Sequence, residues 1–294
     1  MQVKTWILCT LLGLSACGTN DNSAVNQSDA STEGTDAGLS PDADKGNGEL
    51  RVATINLRCL LEEWPQRLPL IVAELSELRP DVIALQEVCR DQNSDSLLAL
   101  TTALNDATGE NYTYARADTH IAWDVYQEGI ALLSRHALQN VAVLDLPTGV
   151  FPRKAVIAQI DTGTATLQIA TTHLSFGDQA STRVNQLGAL RNAMGVRRVG
   201  GESLLIAGDM NEGPQSGAIT DAISNSYKDS WAEVHPDNAG LTFPASAPDS
   251  RIDYLLLSPG SDQFRITSME RFLTSPTNDR YPSDHVALWA DLSR

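Results

Sequence analysis

Leu204-Leu205-Ile206-Ala207-Gly208-Asp209-Met210-Asn211-Glu212-Gly213-Pro214 reads as two pieces joined at one residue. The unbroken aliphatic run is the pattern of a strand buried on both faces, and a strand is expected over 203–209. An aspartate, an asparagine and a glutamate follow directly, closed off by Gly213-Pro214. The strand therefore ends on polar groups, which is where an α/β sheet builds its ligand crevice.

Working outward, the same punctuation recurs. Further strands are expected over 50–56, 81–86, 112–117, 129–134, 140–146, 154–161, 166–173, 252–258, 264–272 and 286–292. Helical periodicity covers 66–78, 94–108, 179–199 and 216–224, each bounded by Gly, Pro or Asn. No repeat at a solenoid period is present. Several strands follow one another without an intervening helix, which argues against a purely parallel doubly wound sheet. The expected fold is α/β, with two mixed sheets packed together and helices outside. Polar residues stand at the strand ends: Asn56, Glu87, His173, Asp209 with Asn211, and Asp284 with His285.

The carboxylates and asparagine carbonyls among them are the hard oxygen donors that Mg²⁺, Mn²⁺ or Ca²⁺ prefers. No Cys/His cluster suggests zinc. The two histidines can donate to a phosphoryl oxygen or take a proton near neutral pH. With 21 Lys and Arg against 37 Asp and Glu, the formal net charge is −16. That excludes a long basic nucleic-acid footprint, so any polyanion must be held locally by a few arginines or by metal.

The N-terminus reads as an address. Lys4 precedes an apolar run from Trp6 to Leu14, too short to span a bilayer, and then Leu14-Ser15-Ala16-Cys17. That tetrapeptide resembles the bacterial lipobox, which implies cleavage and lipidation at Cys17. Residues 1–17 are thus expected to be a signal, 18–48 a polar tether reaching on the order of 30 Å, and 49–294 the globular domain. By this reading the protein is exported and anchored to a membrane of the cell envelope, on its periplasmic or surface side.

Seven segments together resemble one family: Arg51 to Arg58, Arg79 to Val88, Gly129 to Arg135, Thr171 to Ser175, Leu204 to Pro214, Arg251 to Ser258 and Tyr281 to His285. In this order they are similar to the endonuclease/exonuclease/phosphatase superfamily, which includes deoxyribonuclease I, neutral sphingomyelinases and inositol polyphosphate 5-phosphatases. The resemblance implies a four-layer sandwich and a metal-dependent phosphoester hydrolase, with Mg²⁺ as the expected ion and Mn²⁺ or Ca²⁺ as alternatives. It makes Glu87 and Asn56 metal-site residues, with Asp284 near the same ion. Asp209 and Asn211 would orient the attacking water or a second metal, and His173 would donate to a non-bridging oxygen. His285 would act as base with Asp253 holding its ring.

Where some members of that family carry an Asp two residues after the first Asn, this chain has Arg58, which leaves one metal or two open. Arg58, Arg153 and Arg183 are candidate phosphate contacts. His120, His136 and His235 match no motif and read as surface or core residues. Cys59 and Cys89 follow Asn56 and Glu87 closely, so a disulfide is expected in an exported context. Closing that loop would stabilise by about 3–4 kcal/mol on the chain-entropy model.

Three functions follow. One is a phosphodiesterase or nuclease acting on nucleic acid or nucleotides. Another is a sphingomyelinase-like phospholipase C acting on a phospholipid head group, or a phosphatase of the same family. The third is a non-catalytic module of the same fold. A phospholipase needs an exposed apolar hairpin beside the site, and the segment 120–128, with Trp123 and Tyr126, reads as a short loop. A monomer is expected.

Overall fold

The computed structural model describes residues 49–260 and 264–294. The segments 1–17 and 18–48, with Cys17, lie outside the described residues.

Twelve strands and five helices follow in the order β1 (Leu50–Asn56), α1 (Trp64–Leu78), β2 (Val82–Arg90), α2 (Ser96–Thr108), β3 (Thr113–Ala122), β4 (Tyr126–Ser134), β5 (Gln139–Asp145), β6 (Lys154–Asp161), β7 (Thr166–His173), α3 (Ala180–Arg197), β8 (Ser203–Asp209), α4 (Gly217–Ser224), β9 (Lys228–Asp229), α5 (Ser230–Val234), β10 (Asp253–Ser258), β11 (Arg265–Phe272) and β12 (Ala287–Ser293). They form two six-stranded sheets, ordered β11-β12-β1-β2-β4-β3 and β5-β6-β7-β8-β10-β9. Each sheet has one parallel pair, β1–β2 and β7–β8, joined through a helix. Every other pairing is antiparallel, so both sheets are mixed.

The strand faces explain the four layers. Val52, Ala84, Leu132, Leu167, Leu205 and Leu255 point from the two sheets into a shared core. Alternate residues of β1, β2 and β4, among them Ile55, Leu85 and Leu133, face outward and are covered by Ile71 and Leu75 of α1 and Leu100 and Leu104 of α2. On the other sheet, Ile157, Ile206 and Leu256 meet Leu187 and Leu190 of α3 and Ile219 of α4. A strand whose two faces are both buried must be apolar throughout, which is why 204–207 is. Local signals set the helix ends. The Asp95 carboxylate accepts from the N–H groups of Leu97 and Leu98, and Gly109 closes α2 in the left-handed region.

Four details differ from the sequence expectation. β2 runs to Arg90 instead of ending at 86, and it carries a bulge. Gln86 and Glu87 together stand opposite Ile130 alone, between the pairs Leu85–Ala131 and Val88–Gly129. The bulge leaves Glu87 at φ 50°, so it lies inside the strand and not after it. β4 begins at Tyr126 and pairs with β3, so the segment read as a loop is a hairpin whose tip, Trp123-Asp124, takes positive φ. Finally, β9 and α5 are too short to show a period and were not expected.

Candidate active site

Strand register assembles half of the site. His173 at the end of β7 pairs with Asp209 at the end of β8, and Asp209 pairs with Asp253 at the start of the antiparallel β10. Three neighbouring strands thus present His173, Asp209 and Asp253 side by side at one sheet edge. Gly208 sits at φ 147°, and a Cβ there would lie 2.1 Å from the Thr172 carbonyl oxygen. Only glycine lets β8 lie this close to β7 just before the aspartate.

The other sheet supplies Asn56 from β1 and Glu87 from the β2 bulge. The Asn56 amide donates to Glu87 Oε1 at 3.0 Å and to Asp209 Oδ2 at 3.2 Å, bridging the sheets. Its oxygen accepts from the Arg58 N–H at 2.9 Å. Asn56 therefore serves as the spacer that sets the two carboxylates apart. That oxygen has a second lone pair, so its bond to the Arg58 N–H leaves Asn56 among the metal-site candidates.

The loop before β12 brings in His285. Its Nδ1 lies 2.9 Å from Asp253 Oδ2, a bond in which the ring must donate because an ionised carboxylate only accepts. Nε2 is thereby left toward Asp209 Oδ2, at 3.8 Å. Ser283 anchors the loop by donating to the Asn56 carbonyl at 2.7 Å and accepting from the His285 N–H. Arg67 of α1 pins it from behind. Its buried guanidinium donates to the carbonyls of Leu57, Arg58, Cys59, Leu61 and Pro282, tying the chain after β1 to the histidine loop. The same chain is tied to β2 by the Cys59–Cys89 disulfide, with S–S 2.01 Å. The Cys59 N–H also bonds the Glu87 carbonyl at 3.1 Å.

Glu87, His173, Asp209, Asn211, Asp284 and His285 line a cleft of about 570 Å³, together with Glu128, Arg153 and His120, while Asn56 and Asp253 bond to its lining residues from behind. Burial alone would lower the His285 ring, but Asp253, Asp209 and Asp284 facing it raise it to about 10. His173 is driven the other way. Burial, Arg153 and the neighbouring histidines push it well below its ordinary value, so it is neutral. Burial, with Glu128 and Asp284 adding repulsion, pushes Glu87 up to about 7, and burial raises Asp209 to about 6. Carboxylates held this reluctantly ionised, in a cleft that Glu87, Glu128, Asp209 and Asp284 line together, form an oxygen-rich set that fits a divalent cation. Asp209, Asp253 and His285 also offer ligand atoms within 4.8 Å of one another. Nδ1 of that ring is committed to Asp253, so the trio reads as a dyad beside a carboxylate.

Not every candidate belongs to the cleft. Arg183 is buried on α3, where Nε donates to Glu212 at 2.5 Å and Nη1 to the carbonyls of Ser175 and Gly177. Those donors are spent on the fold, and Arg183 is not among the residues that line the cleft. Arg58 ion-pairs with Asp284 and Glu62 and lines an adjoining cavity of about 610 Å³ instead. Arg153 does face the cleft, bonded to Glu128 at 3.2 Å with Nε unpartnered. Asn211 holds its loop by donating to the Leu174 carbonyl, while its N–H caps Asp209 at 2.8 Å. His136 lies 3.2 Å from Asp81 and His235 2.6 Å from the Met269 carbonyl, both away from the site.

Two residues escaped the sequence reading. Glu128 sits between Arg153 and His173, 3.8 Å from His173 Nδ1. The only signal for it was a carboxylate directly before the apolar run at 129–134, the mirror of the strand-end rule applied to the other residues. His120, read as surface or core, lines the cleft and is lowered to about 4 by burial and by Arg153.

Comparison with known proteins agrees with this geometry. The model of the endonuclease/exonuclease/phosphatase family matches residues 53–285. Among solved structures, an endonuclease/exonuclease/phosphatase family protein from Leptotrichia buccalis is similar at 17% identity and TM-score 0.69, covering 83% of this chain and 100% of its own. The human Nocturnin catalytic domain with bound sulfate anion is similar at 22% identity and TM-score 0.66, covering 84% and 93%. D. rerio TDP2 complexed with single strand DNA product is similar at 18% identity and TM-score 0.68, covering 84% and 99%. No curated protein matches. With the family model spanning both sheets and every strand end that meets in the cleft, the chain belongs to the endonuclease/exonuclease/phosphatase family.

Proposed function

We propose that the protein is a phosphodiesterase of nuclease type that uses a divalent cation, Mg²⁺ foremost, and a water activated by His285. The observation that carries the reading is the His285–Asp253 bond of 2.9 Å, which leaves Nε2 facing a cleft lined by Glu87 and Asp284. Asp253 fixes the tautomer, so the free nitrogen is the one aimed at the cleft. Glu87 and Asp284 are the residues that would hold the cation, which supplies charge stabilisation to the phosphoryl oxygens. His173, neutral, donates to a non-bridging oxygen, and Arg153 offers its unpartnered Nε beside it. Asp209, receiving the Asn56 amide and the Asn211 N–H, orients the water between the two histidines.

The His285 ring is raised chiefly by Asp253, with Asp209 and then Asp284 adding less; a cation held beside Glu87 and Asp284 would offset part of that field and bring the ring toward its ordinary value. Nucleic acid or nucleotide is the favoured substrate, in keeping with the DNA product carried by the D. rerio TDP2 relative. Anchoring through Cys17 rests on the Leu14 to Cys17 motif.

Hydrolysis of bis-p-nitrophenyl phosphate with Mg²⁺ or Mn²⁺ tests the reading. Turnover abolished by EDTA and by His285→Ala is expected. No turnover with any divalent metal between about pH 6 and 9, the range in which a histidine base operates, would favour the non-catalytic module. A second reading, a phospholipase C on lipid head groups, is favoured by one feature: the β3–β4 hairpin exposes Ile121 (53%), Trp123 (56%) and Val125 (59%) at the cleft rim.

A further inference from the structure

One wall of the cleft is a column of near-parallel rings. The centroids of His120 and Phe151 lie 4.5 Å apart with planes 18° from parallel, and those of Phe151 and Phe176 lie 5.9 Å apart at 22°. These are offset-stacked spacings. Each ring rides on a segment that also delivers a polar group to the site. Phe176 stands three residues after His173, and Phe151 two before Arg153. His120 lies 3.8 Å from Glu128. The column therefore starts among the phosphate-facing groups and runs outward. Its last member, Phe176, is 49% exposed.

A large exposed aromatic continuing a stack, lining a cleft of about 570 Å³ beside the candidate phosphate contacts, fits a ligand that adds one more flat ring within a short reach of a phosphate. A nucleotide has that composition; a lipid head group and its acyl chains offer no ring to stack. The net charge of −16 argues for one base and one phosphate held locally, against a duplex held along a basic face. Stacking is also indifferent to base identity, because every base has a π-face.

We propose that the outer face of Phe176 is a nucleobase platform, which makes single-stranded nucleic acid or a nucleotide ester the substrate class of this cleft. The proposal rests on the phosphodiesterase reading above. The test uses two esters with the same leaving group, thymidine 5′-(p-nitrophenyl phosphate) and methyl p-nitrophenyl phosphate, assayed with Mg²⁺ and with Mn²⁺.

Phe176→Ala is expected to lower kcat/KM for the nucleoside ester at least ~5-fold, the lower end of what one lost stacking face costs, and to leave the methyl ester unchanged. Phe176→Trp should restore the nucleoside ester. Equal effects on both esters, or none, overturn the platform while the hydrolase reading stands. A loss in Phe176→Ala confined to sphingomyelin or phosphatidylcholine vesicles overturns it in favour of lipid. Should neither ester turn over, the hydrolase reading falls, and calorimetric binding of thymidine 5′-phosphate decides the platform: weaker binding by Phe176→Ala supports it and equal binding overturns it.

Discussion

Asp209 has a histidine on each side, and the two are held in opposite states. His285, 2.9 Å from Asp253 and facing further carboxylates, is raised to about 10. His173 has only the looser Glu128, at 3.8 Å, for its Nδ1, with Asp209 3.4 Å from its Nε2. Burial, then Arg153 and the other histidines, hold it neutral. The same side chain at similar burial is thus poised for proton transfer on one wall and for neutral hydrogen-bond donation on the other. Pairs of titratable groups pushed apart in this way mark the division of labour in a catalytic site. What separates them is one tight carboxylate partner against one shared with an arginine.

Asp253→Asn breaks the comparison at its strongest point. It keeps a hydrogen-bonding group but removes the charge, so the His285 ring should fall from about 10 toward its ordinary value, read by NMR of the ring protons. kcat should drop about 10²-fold or more, because a carboxamide can also hold the wrong tautomer. A ring still titrating near 10 would show that Asp253 is not what charges it.

Glu128→Gln probes the weaker partner. A loss of about tenfold in kcat/KM is expected, in the range for a residue that orients another, with the His285 titration unmoved. An effect as large as that of Asp253→Asn would erase the asymmetry.

The smallest effect is on stability. Glu87 and Asp209 are raised in the fold, so they favour folding below the ordinary carboxylate range and lose that contribution as pH rises through about 6 to 7. His285, also raised, contributes fully below the ordinary histidine range and loses that contribution as pH rises toward about 10. In EDTA the melting temperature should therefore fall between pH 5 and 8, by roughly 2 °C or more, with Mg²⁺ flattening the slope. A melting temperature that rises over this window in EDTA would refute the assignment.

Much of this arrangement was legible in the sequence because it is built from strand ends. β1, β6, β7 and β8 run as expected, since strands buried on both faces leave predominantly apolar runs, unbroken only in Leu204 to Ala207, with a polar stop. The residues that stop those runs, Asn56, His173 and Asp209, meet in the cleft. What was illegible depends on contacts between distant segments. Arg67 looks like the solvent face of a helix, yet it is buried because five carbonyls from two loops converge on it. Arg183 offers the same lesson in reverse, since a cation that follows the Thr171 to Ser175 motif was claimed by Glu212. Glu87 was placed one residue past its strand because a bulge leaves no trace in hydrophobic alternation. Glu128 was hidden because Tyr126 to Glu128 read as turn, although they begin β4.

The cross-strand alignment of His173, Asp209 and Asp253 bears on how such a protein can vary through descent. A slip of one residue in β8 would take Asp209 out of the cleft and exchange Leu205 and Ala207 of the shared core for Leu204 and Ile206 of the outer face, a differently shaped pair. Core packing and the alignment of the cleft residues are thus set by one and the same strand register. Loop residues such as Phe176 and Trp123 are under no such tie. A change confined to the rim leaves that register, and with it the placing of the cleft residues, as it is.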